Sequence, residues 1–226
     1  SSKQEYSRNS AKSSSLPDLR KYPSGTPRKK AFLRTVMPYI TSQNAAITAE
    51  RNWLISKQYQ GQWSPAERAR LKDIAKRYKV KWSGNTRKIP WNTLLERVDI
   101  IPTSMVATMA AAESGWGTSK LARNNNNLFG MKCMKGRCTN APGKVKGYSQ
   151  FSSVKESVSA YVTNLNTHPA YSSFRKSRAQ LRKADQEVTA TAMIHKLKGY
   201  STKGKSYNNY LFAMYQDNQR LIAAHM

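Results

Sequence analysis

Residues 110–131 read Ala-Ala-Ala-Glu-Ser-Gly-Trp-Gly-Thr-Ser-Lys-Leu-Ala-Arg-Asn-Asn-Asn-Asn-Leu-Phe-Gly-Met. Three successive alanines suit a helix packed closely on its neighbours, and the run ends in one carboxylate, Glu113. Gly115 and Gly117 come directly after it, with Trp116 between them, so the helix is expected to stop there. Apart from Glu113, no Asp or Glu lies between Asp99 and Glu156. A solitary carboxyl group in an acid-free, partly aromatic neighbourhood is a place for a general acid, since apolar walls favour the neutral, proton-carrying form of such a group. The competing reading is a solvated helix-terminal Glu. That reading has a drawback, because a negative charge there faces the negative end of the helix dipole.

Outward from that stretch, 226 residues suffice for one compact domain plus an accessory segment. The hydrophobic fraction is 38%, and the first thirty residues are polar, so the folded part is expected to be shorter than the chain. Thirty-nine basic against 12 acidic residues give a formal net charge of +27. Such a balance points to an anionic partner: nucleic acid, anionic lipid or an acidic cell-wall polymer. The plainer alternative is that excess lysine keeps the protein soluble. No run approaches the ~18–20 apolar residues of a membrane span. The chain starts at Ser1 without a charged-then-apolar leader and is expected to be a processed or trimmed product, so the missing leader excludes nothing. Two cysteines, Cys133 and Cys138, leave three readings open: a small hairpin disulfide, free thiols, or a zinc site short of ligands. A disulfide places the chain outside the reducing cytosol. No metal and no cofactor are expected.

In chain order, residues 1–28 are rich in Ser, Lys, Arg and Pro and are expected to form a flexible basic tail or linker. From Lys29, Leu33, Val36, Ile40, Ile47 and Leu54 recur with helical spacing, while Pro38 implies a kink or a start nearer Tyr39. Ser64-Pro65-Ala66-Glu67 is a capping box opening a helix that carries Leu71, Ile74, Ala75 and Tyr78 on one face. Residues 29–98 thus form a helical N-terminal extension, closed by a short helix from Trp91 to Val98. Pro102 suits the first turn of the helix that ends at Glu113. From Leu128 to Phe151 helical periodicity vanishes, and Gly136, Pro142, Gly143 and Gly147 punctuate what is expected to be a small β-hairpin lobe. A second capping box, Ser153 to Glu156, opens a helix ended by His168-Pro169. Further helices are expected around Phe174 and Leu181, over Val188 to Leu197, and from Gly204 to the C-terminal region. The fold class is mostly α, within α+β.

Glu113-Ser114-Gly115-Trp116-Gly117, with Asn126-Asn127-Leu128-Phe129-Gly130-Met131-Lys132 after it, resembles the bacterial peptidoglycan N-acetylglucosaminidases of glycoside hydrolase family 73. Tyr200-Ser201-Thr202-Lys203-Gly204-Lys205-Ser206-Tyr207 looks like that family's tyrosine region, and Asn166 to Tyr171, with the helical preface from Arg28, looks like its Bax-type branch. The resemblance implies a lysozyme-like catalytic domain over residues 99–226. In it Glu113 protonates the oxygen of the β-1,4 bond on the far side of N-acetylglucosamine, and Tyr200 assists the reacting sugar. Trp116, Phe129, Tyr171 and Tyr207 are candidates to stack on sugars, each equally open to a core role. Asn126 and Asn127 either bond an acetamido group or form the turn.

Glycosidases with two carboxylates hold the second at ~5–5.5 Å or ~6.5–9.5 Å from the first. Some members of the resembled family carry a Glu in the β-lobe, but residues 114–155 contain no acid here. Glu156, at the third position of its helix, has a sufficient structural role. The second step is then open to the substrate's own acetamido oxygen, to a water held by Tyr200, or to the sugar hydroxyl as in a lytic transglycosylase. The expected partners are peptidoglycan glycan strands and an anionic cell-envelope surface, in a periplasmic or secreted setting. A basic nucleic-acid-binding module is the rival from another class. Scattered basic residues and the lack of a dense basic helix count against it.

Overall fold

The computed structural model describes residues 16–133, 141–197 and 204–226. The chain divides into two compact units: residues 1–42, 103–162 and 210–226 in the first, and residues 43–102 and 163–209 in the second. Nine α-helices are described: α1 (Thr26–Lys57), α2 (Pro65–Arg77), α3 (Trp91–Arg97), α4 (Thr103–Ser114), α5 (Lys120–Asn125), α6 (Val154–Thr167), α7 (Ser172–Lys183), α8 (Ala190–Met193) and α9 (Gly204–Ala223). The mostly helical expectation holds, and no described helix is long and apolar enough to cross a membrane.

Two boundaries differ from expectation. Helix α1 starts at Thr26 and continues past Pro38, which is therefore not its start. An interior proline costs about 3 kcal/mol. Phe32, Leu33, Val36, Met37 and Ile40 around it are all 1% exposed or less, and each contributes roughly 1.5–3 kcal/mol on burial, so packing wins. The folded chain also reaches back into the stretch expected as tail. Leu19 is fully buried in a 3₁₀ turn, Leu19–Lys21, and Arg28 ties that turn down by donating to the carbonyls of Leu19 and Tyr22.

The core of the first unit is built from those α1 residues with Met105, Val106, Met109 and Ala110 of α4, and with Leu128, Val154, Val158, Leu211 and Ile222. Small residues let the middle of α4 bury completely: Val106, Ala107 and Ala110 are all at 0% exposure. The second unit buries Leu54, Leu71, Ile74, Leu94, Val98, Leu165, Phe174 and Met193. The capping box of α2 forms as expected, with Glu67 N–H donating to Ser64 Oγ and Ser64 N–H donating to Glu67 Oε1.

The second unit also holds an ionic clasp that the sequence did not announce. Asp99, 1% exposed, takes a two-pronged hydrogen bond from Arg182 (2.7 and 2.9 Å) and faces Arg51 at 3.5 Å and Arg178 at 3.8 Å. Arg178, itself 1% exposed, donates to the carbonyls of Glu96 and Ile100, and Asn166 donates to that of Asp99. The non-helical segment between α3 and α4 is therefore held mainly by side chains. Burial alone raises the Asp99 carboxyl. The Arg182 hydrogen bonds, then the charges of Arg178 and Arg51, outweigh it and leave the group below its ordinary range. Burial likewise pushes the Arg178 guanidinium down to about 10, still charged at neutral pH.

The β-hairpin lobe expected between Leu128 and Phe151 is not seen as strands among the described residues. One antiparallel bridge, Lys132 with Tyr148, remains, flanked by Ser149 N–H donating to Met131 O and Cys133 N–H donating to Gly147 O. Asparagine side chains do much of the tying that a longer ladder would do. Cys133 is disulfide-bonded; Cys138, the other cysteine of the chain, lies outside the described residues, as does Gly136.

Candidate active site

Glu113 occupies the last turn of α4 and is half-buried. The backbone just beyond it is conformationally unusual: Gly115, Trp116 and Gly117 all have positive φ, at 55°, 55° and 81°. A left-handed tryptophan is strained, and such strain persists only where surrounding contacts over-determine it. Here Trp116 N–H donates to Ala111 O, its ring meets Phe32 edge-on at 5.6 Å, and the Lys29 ammonium lies 5.0 Å from the ring centroid. Ser114 Oγ donates to Ala110 O and accepts from Gly117 N–H, closing the turn from inside. The chain therefore leaves the helix immediately beyond Glu113 and presents that carboxylate at a fixed bend.

The loop from Asn126 to Met131 forms the other wall. Gly130 has φ +65°, and a Cβ placed on it would lie 3.2 Å from Glu113 Oε2. The acid and this glycine are thus in direct apposition. Three asparagines set the loop. Asn125, 1% exposed, donates to the carbonyls of Val145 and Ser149 and accepts from Val145 N–H. Asn126 sits in the left-handed region at φ 52° and donates to Phe151 O. Asn127, also 1% exposed, donates to Met131 O (2.9 Å) and Ser149 O (3.0 Å) and accepts from Phe129 N–H (3.3 Å) and Met131 N–H (3.1 Å). Both amide protons and the carbonyl of Asn127 are engaged by backbone. Of the two roles open to it, the geometry shows the turn.

The candidate stacking residues separate by burial. Phe129 is 5% exposed and lies parallel to Tyr161 at 4.3 Å; Tyr171 is 2% exposed beside His168. Both rings are used in packing. Trp116, Asn126 and Tyr207 keep partial exposure. Glu113, Trp116, Asn126, Asn127 and Phe129 come together in the first unit, whereas Tyr171 and Tyr207 belong to the second. Tyr200 lies outside the described residues. Glu156 is exposed, and its carboxylate accepts from Ser152 N–H and Ser152 Oγ while its own N–H donates to Ser153 Oγ. Half of the expected box forms, the bond from Glu156 N–H to Ser153 Oγ, while the carboxylate returns to Ser152 instead of to Ser153 N–H. Among the described residues no group of three or more His, Cys, Asp or Glu side chains is placed to hold a metal.

The sequence reading missed Asn125, Ser149 and Ser157 as loop ties. The repeated asparagines at 124–127 were the available signal, since a turn needs fewer amides than that.

A helical frame that ends in a carboxylate, faced by a tied loop, suits acid-assisted cleavage, and the comparison with known families gives the class: the chain is a glycoside hydrolase. The glucosaminidase family model, described as mannosyl-glycoprotein endo-beta-N-acetylglucosaminidase, matches residues 90–220, more than half of the chain, and the protein belongs to that family. The match takes in α3 to α8, the asparagine loop and α9 up to Arg220, and leaves α1 and α2 outside it. No solved structure matches the chain.

Proposed function

We propose that the protein is a peptidoglycan hydrolase of the bacterial cell envelope, of the Bax-like branch, that cleaves the β-1,4 bond on the far side of N-acetylglucosamine. The observation that carries this reading is the apposition of Glu113 and Gly130 at the end of α4, within the family-matched residues. Glu113 is the general acid: it donates its proton to the glycosidic oxygen as the bond to the anomeric carbon breaks. Tyr200 assists the reacting sugar, and Trp116, Asn126 and Tyr207 are the partly exposed residues offered to the glycan.

Net charge favours peptidoglycan over the neutral mannose-rich glycan in the family's description. A chain at +27 is drawn to a polymer bearing stem-peptide carboxylates, and to the anionic envelope around it, in the periplasm or outside the cell. With no acid at residues 114–155, the second step falls to the substrate's 2-acetamido oxygen or to a positioned water. The same absence favours one alternative, intramolecular attack by a sugar hydroxyl as in a lytic transglycosylase.

Digestion of purified sacculi with mass analysis of the products tests the reading. Products reducing at N-acetylglucosamine, with one water added, are expected; anhydro ends would select the transglycosylase route, and muramic-acid reducing ends would overturn the bond assignment. Glu113→Gln is expected to remove reducing-end release by at least ~10²-fold in folded protein, the lower range for a lost general acid. Full activity in that variant would refute the role of Glu113.

A further inference from the structure

We propose that Asn127 and Gly130 are positioning residues for Glu113: Asn127 clasps the loop, and Gly130 presents bare backbone against the carboxylate. This rests on the reading of Glu113 as the general acid. A glutamate side chain has three rotatable bonds, and an acid that transfers a proton to one particular oxygen must be held within hydrogen-bonding reach of it. The backbone at Gly130 approaches so closely that an added Cβ would stand 3.2 Å from Oε2, tighter than an ordinary van der Waals contact. Positions occupied by that loop are closed to the carboxylate, so the loop narrows its choice of rotamers.

The wall works only if it cannot retreat, and the loop is fixed from three directions. Asn127 spans it, accepting from the N–H groups of Phe129 and Met131 on either side of Gly130 while donating to Met131 O and Ser149 O. The buried Ser157 Oγ of α6 accepts from Leu128 N–H at 3.2 Å. Phe129 is stacked on Tyr161 at an interplanar angle of 8°. At Gly130, set directly against the acid, two features disfavour a side chain. One is the space beside Oε2 and the other is φ +65°.

The test uses the full chain on soluble, uncross-linked glycan strands, with kcat and KM measured separately. Gly130→Ala and Asn127→Ala are compared with Asn44→Ala. Asn44 is a buried asparagine of the second unit that exchanges hydrogen bonds with Ile101 and serves as a control for the cost of losing such a tie. Rates are corrected to the folded fraction found by circular dichroism. Gly130→Ala is expected to lower kcat by up to ~10-fold with KM nearly unchanged, because the added Cβ asks the carboxylate to give by less than the 1 Å shift that costs ~10²-fold. Asn127→Ala is expected to lower kcat well beyond Asn44→Ala. If Gly130→Ala does not fold, Asn127→Ala carries the test alone. Wild-type kcat in folded Gly130→Ala, or an Asn127→Ala loss no larger than that of Asn44→Ala, would overturn the proposal. An inactive Glu113→Gln beside a fully active Gly130→Ala overturns only the positioning role, whereas an active Glu113→Gln removes the reading beneath it.

Discussion

Replacing Asp99 by Asn removes the one negative charge from a clasp of three arginines. Arg178 is the partner that matters most for the magnitude. At 1% exposure it has almost no access to water, and burial pushes it down to about 10 even with the Asp99 charge holding it up, so without the carboxylate it is left as a buried cation with no counter-charge and is pushed down further. Arg182 is 37% exposed and recovers much of its loss from solvent, so its exchange is worth about 1 kcal/mol at most. Removing one partner of a buried pair costs about 3–5 kcal/mol. Asparagine keeps an acceptor for Ile100 N–H and for one guanidinium, so the lower figure, about 3 kcal/mol, is expected. At about 2–4 °C per kcal/mol for a chain of this size, Tm falls by about 6–12 °C. The folded Asp99 carboxyl lies below its ordinary range, so its contribution is complete above the unfolded value, near 3.9, and disappears as pH falls through the folded value. Thermal melts of both proteins monitored by near-ultraviolet circular dichroism at pH 7, 5 and 3 should therefore show a full gap at the first two and a reduced one at the third. A gap under about 0.5 kcal/mol at pH 7, the scatter of a neutral surface change, or one that widens on acidification, refutes the reasoning.

Gly117→Ala should destabilise the first unit by roughly 2–4 kcal/mol, from left-handed strain at φ +81° plus overpacking, because its Cβ would stand 2.4 Å from Leu19 Cδ1. Denaturant midpoints measure this, and faster proteolysis near residues 16–25 would trace it to the displaced Leu19. Glu156→Gln should leave turnover little changed and lower stability by under about 1 kcal/mol, as befits a helix-capping carboxylate. A loss of several orders of magnitude in folded Glu156→Gln would instead make it the second acid.

Helices were legible wherever apolar spacing and caps agreed, as at Ser64 to Glu67 and in the apolar face through Leu71, Ile74 and Ala75. They were misjudged where burial overrode local preference. Pro38 signals a break to any local rule, and the fully buried faces on both sides of it carry α1 through. Leu19 was lost in a polar stretch because a single apolar residue has no period. At the site, Glu113 and the bend after it could be read directly, since glycines at 115 and 117 announce positive φ. Trp116 between them could not, because nothing local prefers a left-handed tryptophan; Phe32 and Ala111 hold it there. Whether Phe129 and Tyr171 face a sugar or a core depends on three-dimensional neighbours, and no spacing rule distinguishes the two.

The two units fix irregular backbone by opposite means. In the second, the segment around Asp99 is held by guanidinium groups around one buried carboxylate. That arrangement is costly to desolvate and depends on the carboxylate staying charged. In the first, the loop against Glu113 is held by Asn125 and Asn127, whose amides satisfy buried carbonyls and N–H groups at no ionic cost. Amides do not titrate, so the loop keeps its bonds across the range in which the clasp loosens. On acidification, then, the Asp99 clasp weakens while the amide ties beside Glu113 remain. Loss of stability at low pH should accordingly begin in the second unit, in residues that take no part in the proposed chemistry.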